Sequence, residues 1–315
     1  MILITGATGF VGSALTRHLA VRDEHKLLYV AVRSGGRSWP KNIKQIQFEF
    51  LTVGTQWHFE CNPVSIVIHL AARVHVMSDT CPEPLQEFRR VNVEGTLNLA
   101  RQAAASGVKR FIFLSSIKVN GECTESGRAF HVEDEPAPKD PYAISKYEAE
   151  LALLKIARET GMEVVIIRSP LVYGPGVKAN FQSMIRWLAR GVPLPLASIT
   201  ENRRSMVALD NLIDLIRVCI HHPNAANQIF LVSDGEDLST AELLKRMGEA
   251  QGAPARLFYV PVSVLRLGAS LLGKQNVYQR LCGSLQVDID KTRQLLGWVP
   301  PIPVDEGLRR AALRA

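Results

Sequence analysis

The chain has 315 residues, 47% of them hydrophobic and 21% charged, with a formal net charge of +7. That is enough apolar material for one large α/β domain, or for a nucleotide domain with a smaller companion. Lys and Arg are scattered, without a like-charge run or interleaved aromatics, which argues against nucleic acid and leaves mild attraction for anionic small molecules. The cysteines (Cys61, Cys81, Cys123, Cys219, Cys282) are far apart and never form a C-x-x-C pair. Free thiols in a reducing, cytoplasmic setting are expected, with no metal centre.

The first half alternates short apolar runs with helical patterns. Runs at 2–5, 27–32, 46–50, 64–70, 110–116 and 164–168 read as strands buried in a parallel sheet. No signal-peptide pattern precedes the first run. Between the runs, Val11, Ala14, Leu15 and Leu19 form one helical stripe, and Leu85, Phe88, Leu99 and Ala103 mark a longer one that stops at Gly107. Ile144, Tyr147, Leu151 and Leu154 form a third, ending at Gly161. Such alternation predicts an α/β fold with a doubly wound parallel sheet and right-handed crossovers.

After Pro170 the texture changes, and prolines cut the chain into shorter pieces. Asp210 is placed to cap a helix carrying Ile213, Ile216 and Ile220, and Ser239-Thr-Ala-Glu242 reads as a capping box. The boundary is therefore expected near residue 168, with residues 1–168 as the larger sheet domain and residues 169–315 as a smaller lid region. A segment near 204–222 is expected to return and pack on the first. The stretch from Phe258 to Gly273 is too short to span a bilayer and carries Arg266, so a helix packed within the protein is expected there, with no integral membrane segment.

Thr5-Gly6-Ala-Thr8-Gly9-Phe10-Val11-Gly12 joins the first strand to the first helix. Glycines at this spacing permit a tight turn and let the helix N-terminus meet a pyrophosphate. A carboxylate at the end of the second strand would hydrogen-bond an adenosine ribose and select NAD. Val32 stands there instead, followed by Arg33 with Arg37 nearby. A guanidinium suits a 2′-phosphate, so NADP(H) is favoured and NAD(H) is the alternative.

Further on, Leu114-Ser115-Ser116 ends a strand, and Asp140-Pro141 opens a helix bearing Tyr142 and Lys146 one turn apart. An ammonium at that distance is expected to favour phenolate and draw the phenol toward neutrality. A tyrosine tuned in this way can exchange a proton with a carbonyl or alcohol oxygen.

These motifs together resemble the extended short-chain dehydrogenase/reductases, in particular the sugar-nucleotide branch. The resemblance runs through the glycine loop, Val67-Ile-His-Leu70-Ala71-Ala72, Val91-Asn92-Val-Glu-Gly-Thr96, the Ser116 strand, Tyr142-Ala-Ile-Ser-Lys146, Ile167-Arg-Ser-Pro170-Leu-Val-Tyr-Gly-Pro-Gly176 and Leu295-Leu-Gly-Trp298. It implies a Rossmann-type NAD(P)-binding domain over residues 1–168 and a smaller substrate-binding domain over residues 169–315. It also implies that Ser116 hydrogen-bonds the reacting oxygen, Tyr142 moves the proton, and Lys146 tunes Tyr142 and holds the nicotinamide ribose. Gly6, Thr8, Gly9, Phe10, Val11, Gly12, Arg33, Leu70, Ala71, Ala72, Asn92, Ser115 and Pro170 are implied to line the dinucleotide. Counting back from Gly121 gives Ser116 the catalytic place, and leaves the Ser115 hydroxyl to packing or backbone bonding. Ser116, Lys118, Asn180, Arg204 and, more loosely, Arg280 are implied to face a UDP-linked sugar. A homodimer through residues 85–105 and 142–158 is implied as well.

The branch holds several chemistries. Hexose 4,6-dehydratases resemble Thr-Asp-Glu where this chain has Ser116-Ile117-Lys118, which supplies neither the acid nor the base of elimination. A 3,5-epimerase/reductase would want a cysteine where Ile117 stands. Two options remain: an NAD(P)H-dependent 4-ketoreductase and a 4-epimerase with retained NAD. Leu114–Glu122, with Asn120 where many epimerases have tyrosine, resembles bacterial reductases that convert UDP-4-keto-6-deoxy-N-acetylglucosamine to UDP-N-acetylquinovosamine for surface polysaccharide such as O-antigen. The expectation is therefore the reductase, with Lys118 and Asn120 shaping the sugar pocket. A non-catalytic dinucleotide sensor is the remaining alternative; such relatives typically lack a member of the Ser/Tyr/Lys trio.

Overall fold

The computed structural model describes residues 1–21, 27–33, 38–59, 64–74, 83–125 and 127–313. Arg37, Cys61 and Cys81 lie outside them, as does the side chain of Asn180.

A seven-stranded sheet forms the centre. Its strands are β1 (Ile2–Thr5), β2 (Leu28–Val32), β3 (Ile43–Gln47), β4 (Ile66–His69), β5 (Arg110–Ser116), β6 (Glu163–Ser169) and, after two short intervening strands, β9 (Gln228–Leu231). The spatial order is β3-β2-β1-β4-β5-β6-β9, and every pairing is parallel. Side chains alternate across a strand, and here both faces are covered. Ile2, Ile4, Val30, Ile68, Ile112 and Val165 point to one core. Leu3, Tyr29, Ala31, Val67, Phe111 and Val164 point to the other.

The first face packs against α1 (Phe10–Val21) and α6 (Leu209–His221), through Leu15, Leu19, Leu212 and Ile216. The second packs against α3 (Thr96–Ala105) and α4 (Pro141–Thr160), through Leu99, Ala103, Ala149 and Leu153. The helix preceding α3 begins as α2 (Pro84–Arg89) and passes through one π-helical stretch (Arg90–Gly95). The strand order reverses between β1 and β4, so the carboxyl ends of these strands flank the crevice where open α/β sheets bind ligands.

Helix ends follow their residues. Asp140 Oδ1 accepts from the Ala143 N–H at 2.7 Å, Pro141 fills the first helical position, and Gly161 closes α4 in the left-handed region at φ 75°. Ser239 and Glu242 form the reciprocal capping box of α7 (Thr240–Ala250). Asp210 behaves otherwise: it lies within the first turn of α6, whose N-cap is Ala208. The Ala208 N–H is bonded instead by Asp234, 2.8 Å away and 26 residues later.

The third strand also differs from expectation, lying over Ile43–Gln47 rather than 46–50. It is an edge strand in which Lys44, Gln45 and Gln47 are exposed, so its residues carry a weaker apolar signal than Phe48–Leu51 after it. Phe48 packs on Trp57 from the loop, at 5.3 Å between centroids.

Beyond β6, the short strands β7 (Leu171–Tyr173) and β8 (Met206–Ala208) pair with each other. They face a third core built from α5 (Ala179–Ala189), α7 and α11 (Val304–Ala312), with Tyr173, Phe181, Leu244 and Leu308 at its centre. α10 (Asp290–Leu296) adds Leu296 to the core on the α6 side of the sheet. The apolar stretch expected to be packed forms α8 (Val262–Leu271), and α9 (Gln275–Cys282) follows it. Neither helix has a buried residue. No helix among the described residues is long and apolar enough to cross a membrane.

Candidate active site

The cradle for a dinucleotide begins where β1 ends. Gly6 has φ +69°, and a Cβ there would lie 2.7 Å from the Ala71 nitrogen. At Gly12 a Cβ would lie 2.1 Å from the Gly6 carbonyl oxygen. The loop and the first turn of α1 therefore close together only because both positions lack side chains. The N-terminus of α1 thus starts directly at the glycine loop, the kind of helix terminus that can meet a pyrophosphate. Thr8 is exposed, while Phe10 and Val11 are half-buried against the sheet-side core. Glycines, helix terminus and strand-order reversal fit a dinucleotide.

A buried chain of polar groups under this loop went unassigned in the sequence. His69, the last residue of β4, sits between Thr5 Oγ1 (2.7 Å) and Thr96 Oγ1 (2.9 Å). Thr5 Oγ1 also accepts from the Ala71 N–H at 3.3 Å. Burial, and then the charge of Lys146, hold the imidazole pKa down at about 3, so it stays neutral. This bridge fixes the half-buried Leu70-Ala71-Ala72 segment against the glycine loop. The signal was present, since His69 and Thr96 both fall inside quoted motifs, but a lone histidine in a strand has no spacing partner to reveal it.

Asn92 lies on the π-helical turn and is buried. Its Oδ1 accepts from Arg73 N–H (2.8 Å), and its Nδ2 donates to Arg73 O and Ser145 Oγ (each 3.0 Å). Ser145 in turn donates to the Tyr142 carbonyl at 2.8 Å. Asn92 thus joins the β4 exit to the first turn of α4. A π-turn shifts the helical phase at one point, and here it turns this amide inward.

Ser116, Tyr142 and Lys146 come from the end of β5 and the start of α4. Ser116 Oγ accepts from the Lys118 N–H at 3.3 Å and caps the 3-10 turn Ile117–Val119. Lys146 is buried, with Nζ 4.1 Å from the centroid of the Phe113 ring. Desolvation lowers its pKa to about 7, against a partial pull upward from Glu150. Tyr142 packs edge-on to Phe88 at 6.1 Å. Its pKa is not drawn toward neutrality but pushed up to about 12, first by burial and then by the negative charge of Asp140. The physical reason is that the lysine cation is itself disfavoured by burial, while the helix-capping carboxylate opposes a second anion. By the protein's own groups alone, Tyr142 is a phenol, ready to donate.

Behind the trio stands a buried ionic wall. The Ser115 hydroxyl bonds Glu150, and Arg168 grips the same carboxylate through Nε (3.1 and 3.2 Å) and Nη2 (2.6 Å). Ser115 therefore bonds a carboxylate rather than backbone. Arg168 Nη1 donates to Asn120 Oδ1 at 2.9 Å, and Asn120 Nδ2 to the His131 carbonyl at 2.9 Å. Asn120 is buried in this wall, so its amide is committed to holding Arg168 and does not shape a pocket directly. Pro170, also buried, follows the wall. Lys118 is ion-paired with Asp140 and lies 3.8 Å from Glu122. Its charge is largely compensated before any ligand arrives.

The C-terminal part contributes two arginines. Arg204 is half-buried and donates from Nη1 to the Gly283 carbonyl at 3.0 Å. Burial, and next the charge of Arg280 at the end of α9, lower its pKa. Two guanidinium groups that disfavour each other form a site that an anion would relieve. Backbone bridges Thr124–Ser284, Phe130–Val287 and Arg204–Leu285 tie this pair to the loop after Ser116. Arg33 is exposed at the end of β2, with no carboxylate on Val32 beside it. Among the described residues no group of histidine, cysteine and carboxylate side chains could hold a metal ion.

The sequence model of the NAD dependent epimerase/dehydratase family matches residues 2–233, and the chain belongs to this family. It is 48% identical over 313 residues to a UDP-glucose 4-epimerase of Vibrio cholerae, spanning 99% of this chain and 94% of that protein. Among solved structures, the UDP-glucuronic acid 4-epimerase of Bacillus cereus, in complex with UDP-glucuronic acid and NAD, aligns with a TM-score of 0.77 at 19% identity, over 99% of this chain and 97% of that one. RMD from Pseudomonas aeruginosa, complexed with NADPH, aligns with a TM-score of 0.73 at 22% identity, over 99% of both chains. The last two likenesses concern the fold.

Proposed function

We propose that the protein is a 4-epimerase of UDP-linked sugars that works with a retained NAD, the second of the two options weighed from the sequence. The observation that carries this reading is the 48% identity, along nearly the whole of both chains, with the Vibrio cholerae UDP-glucose 4-epimerase. The glycine cradle, with Leu70–Ala72, Asn92, Ser115 and Pro170 around it, would hold the dinucleotide. Arg204 and Arg280 would bind the diphosphate of the sugar nucleotide, and Asn180 and Lys118 would contribute to the same substrate site.

When bound, the nicotinamide supplies a hydride acceptor and donor for C4 of the sugar. Tyr142 would have to lose its own proton to solvent before the first half-reaction. As phenolate it would take the proton of the C4 hydroxyl as that carbon is oxidised, and as phenol return it to the same oxygen when the carbon is reduced from the other face. Ser116 Oγ hydrogen-bonds this oxygen throughout, and Lys146 sets the proton affinity of Tyr142 from one helical turn away. Atoms balance over the cycle, so no external reductant is consumed.

One observation favours a second reading. The end of β2 offers Val32 and an exposed Arg33 rather than a carboxylate, which suits NADPH and hence a 4-ketoreductase forming UDP-N-acetylquinovosamine. Denaturing the purified protein and identifying any released dinucleotide separates the two. The epimerase reading expects NAD in near-equal amount to protein, and conversion of UDP-glucose or UDP-N-acetylglucosamine without added cofactor. An empty protein that oxidises NADPH only with a 4-keto UDP-sugar would establish the reductase instead. A homodimer through α2–α3 and α4 belongs to either reading, and sedimentation equilibrium tests it.

A further inference from the structure

The α8–α9 hairpin inverts the pattern of the rest of the molecule. Eight of the nineteen large apolar side chains exposed among the described residues fall between Phe258 and Val277. Leu267, Leu271 and Leu272 are 61%, 79% and 75% exposed, and Tyr259 is 72% exposed. The inward side of the hairpin is already used, because Leu265 and Ala269 meet Val277 and Leu281 in a cleft that also takes in Leu196 and Ile199. The outward leucines are therefore a second apolar face, with nothing of this chain over it among the described residues.

Charge decides what covers that face. From Gln251 to Val287 the sequence has no Asp or Glu, yet it carries Arg256, Arg266, Lys274 and Arg280. The adjoining end of α5 repeats the pattern: Arg186, Trp187 and Arg190 are exposed there, and Arg256 lies against Gly191. Short helices with outward leucines, flanking cations and aromatic residues, and no carboxylate, suit the boundary between water and an anionic bilayer. Two copies of such a face would bring like charges together, whereas acidic headgroups complement it.

We propose that the α8–α9 hairpin is a docking surface for an anionic lipid bilayer, lying in the interface plane rather than crossing it. Leu267, Leu271 and Leu272 enter the acyl boundary, and Arg266 and Lys274 meet the headgroups. Because α9 also carries Arg280, docking sets the Arg204–Arg280 pair close to the lipid surface. The inference does not depend on which reaction the site performs.

The test is flotation of the full-length protein with vesicles of phosphatidylcholine alone and of phosphatidylcholine mixed with phosphatidylglycerol. The bound fraction is expected to favour the anionic vesicles by at least about tenfold, and to fall as salt is raised. L267D/L271D should lower binding by roughly tenfold or more, and R266Q/K274Q should erase the preference for phosphatidylglycerol. Thermal unfolding of both variants should match the parent, since all four residues are exposed. Equal flotation of the parent and L267D/L271D would overturn the proposal, as would absence of flotation with either vesicle. So would a lipid-free dimer that L267D/L271D dissociates in sedimentation equilibrium, because the face would then belong to a second copy.

Discussion

The carboxyl edge of the sheet and the α8–α9 hairpin are built on opposite rules. At the sheet edge, Thr5, His69, Asn92, Ser115, Glu150 and Arg168 are buried and hydrogen-bonded. The hairpin has no buried residue, and its leucines face outward. The first arrangement holds reacting groups in place at the expense of burying charge; the second spends almost nothing on folding and leaves apolar area available for contact. Chemistry is therefore expected to fail when the edge is altered, and folding to be indifferent when the hairpin is altered.

The largest effects should come from the edge. Tyr142→Phe is expected to reduce turnover by about 10²–10⁴-fold while dinucleotide binding persists; a variant retaining full turnover would remove Tyr142 from the proton path. Arg168→Met leaves Glu150 as an uncompensated charge behind Ser115, and should cost about 3–5 kcal/mol in urea unfolding. A loss below about 1 kcal/mol would mean that Glu150 is not left as a buried, uncompensated charge.

Lys146 sharpens the comparison, because it is a candidate functional group whose burial is unfavourable. Its pKa is lowered to about 7 in the folded protein, from an ordinary value of 10.5. Between those values the unfolded chain binds more protons than the folded one, so this residue makes stability rise with pH across that window. The penalty is fully present below about pH 7. Lys146→Met should accordingly raise the Tm of the apo protein at pH 6, by roughly 2–4 °C for each kcal/mol relieved, and flatten the rise in stability above neutrality, while turnover collapses. An unchanged stability profile would show that Lys146 is compensated in solution. The smallest effect is expected in the hairpin, where L267D/L271D should alter unfolding free energy by no more than about 0.5 kcal/mol.

Much of this was legible in the sequence, and the failures have physical causes. Five strands of the central sheet stood out as apolar runs, because strands covered on both faces need them; the edge strand β3 was displaced toward an apolar loop, and the opposite edge strand β9 was not anticipated at all. Asp140, Pro141 and Gly161 marked the ends of α4 because capping is local chemistry. Asp210 misled for the complementary reason: the N–H at the start of α6 is bonded by Asp234, a tertiary partner that no local pattern encodes.

The placing of Tyr142 and Lys146 on the first turns of a helix, after a strand that ends at Ser116, was readable; the electrostatics of Tyr142 and Lys146 were not. The upward push on Tyr142 depends on burial and on the field of Asp140, which emerge only on folding. Asn120 and Ser115 stand close to Ser116 in sequence, yet their side chains serve the wall behind it. The long-range bridge through His69 had no sequence spacing to announce it.

The most direct test of the account follows hydrogen at C4. A UDP-sugar carrying deuterium at C4, incubated with the purified protein and no added dinucleotide, should yield the C4 epimer with the label still on C4, because the hydride leaves and returns within one site. Absence of the epimer, with consumption of NADPH on a 4-keto UDP-sugar, would contradict the proposed epimerase.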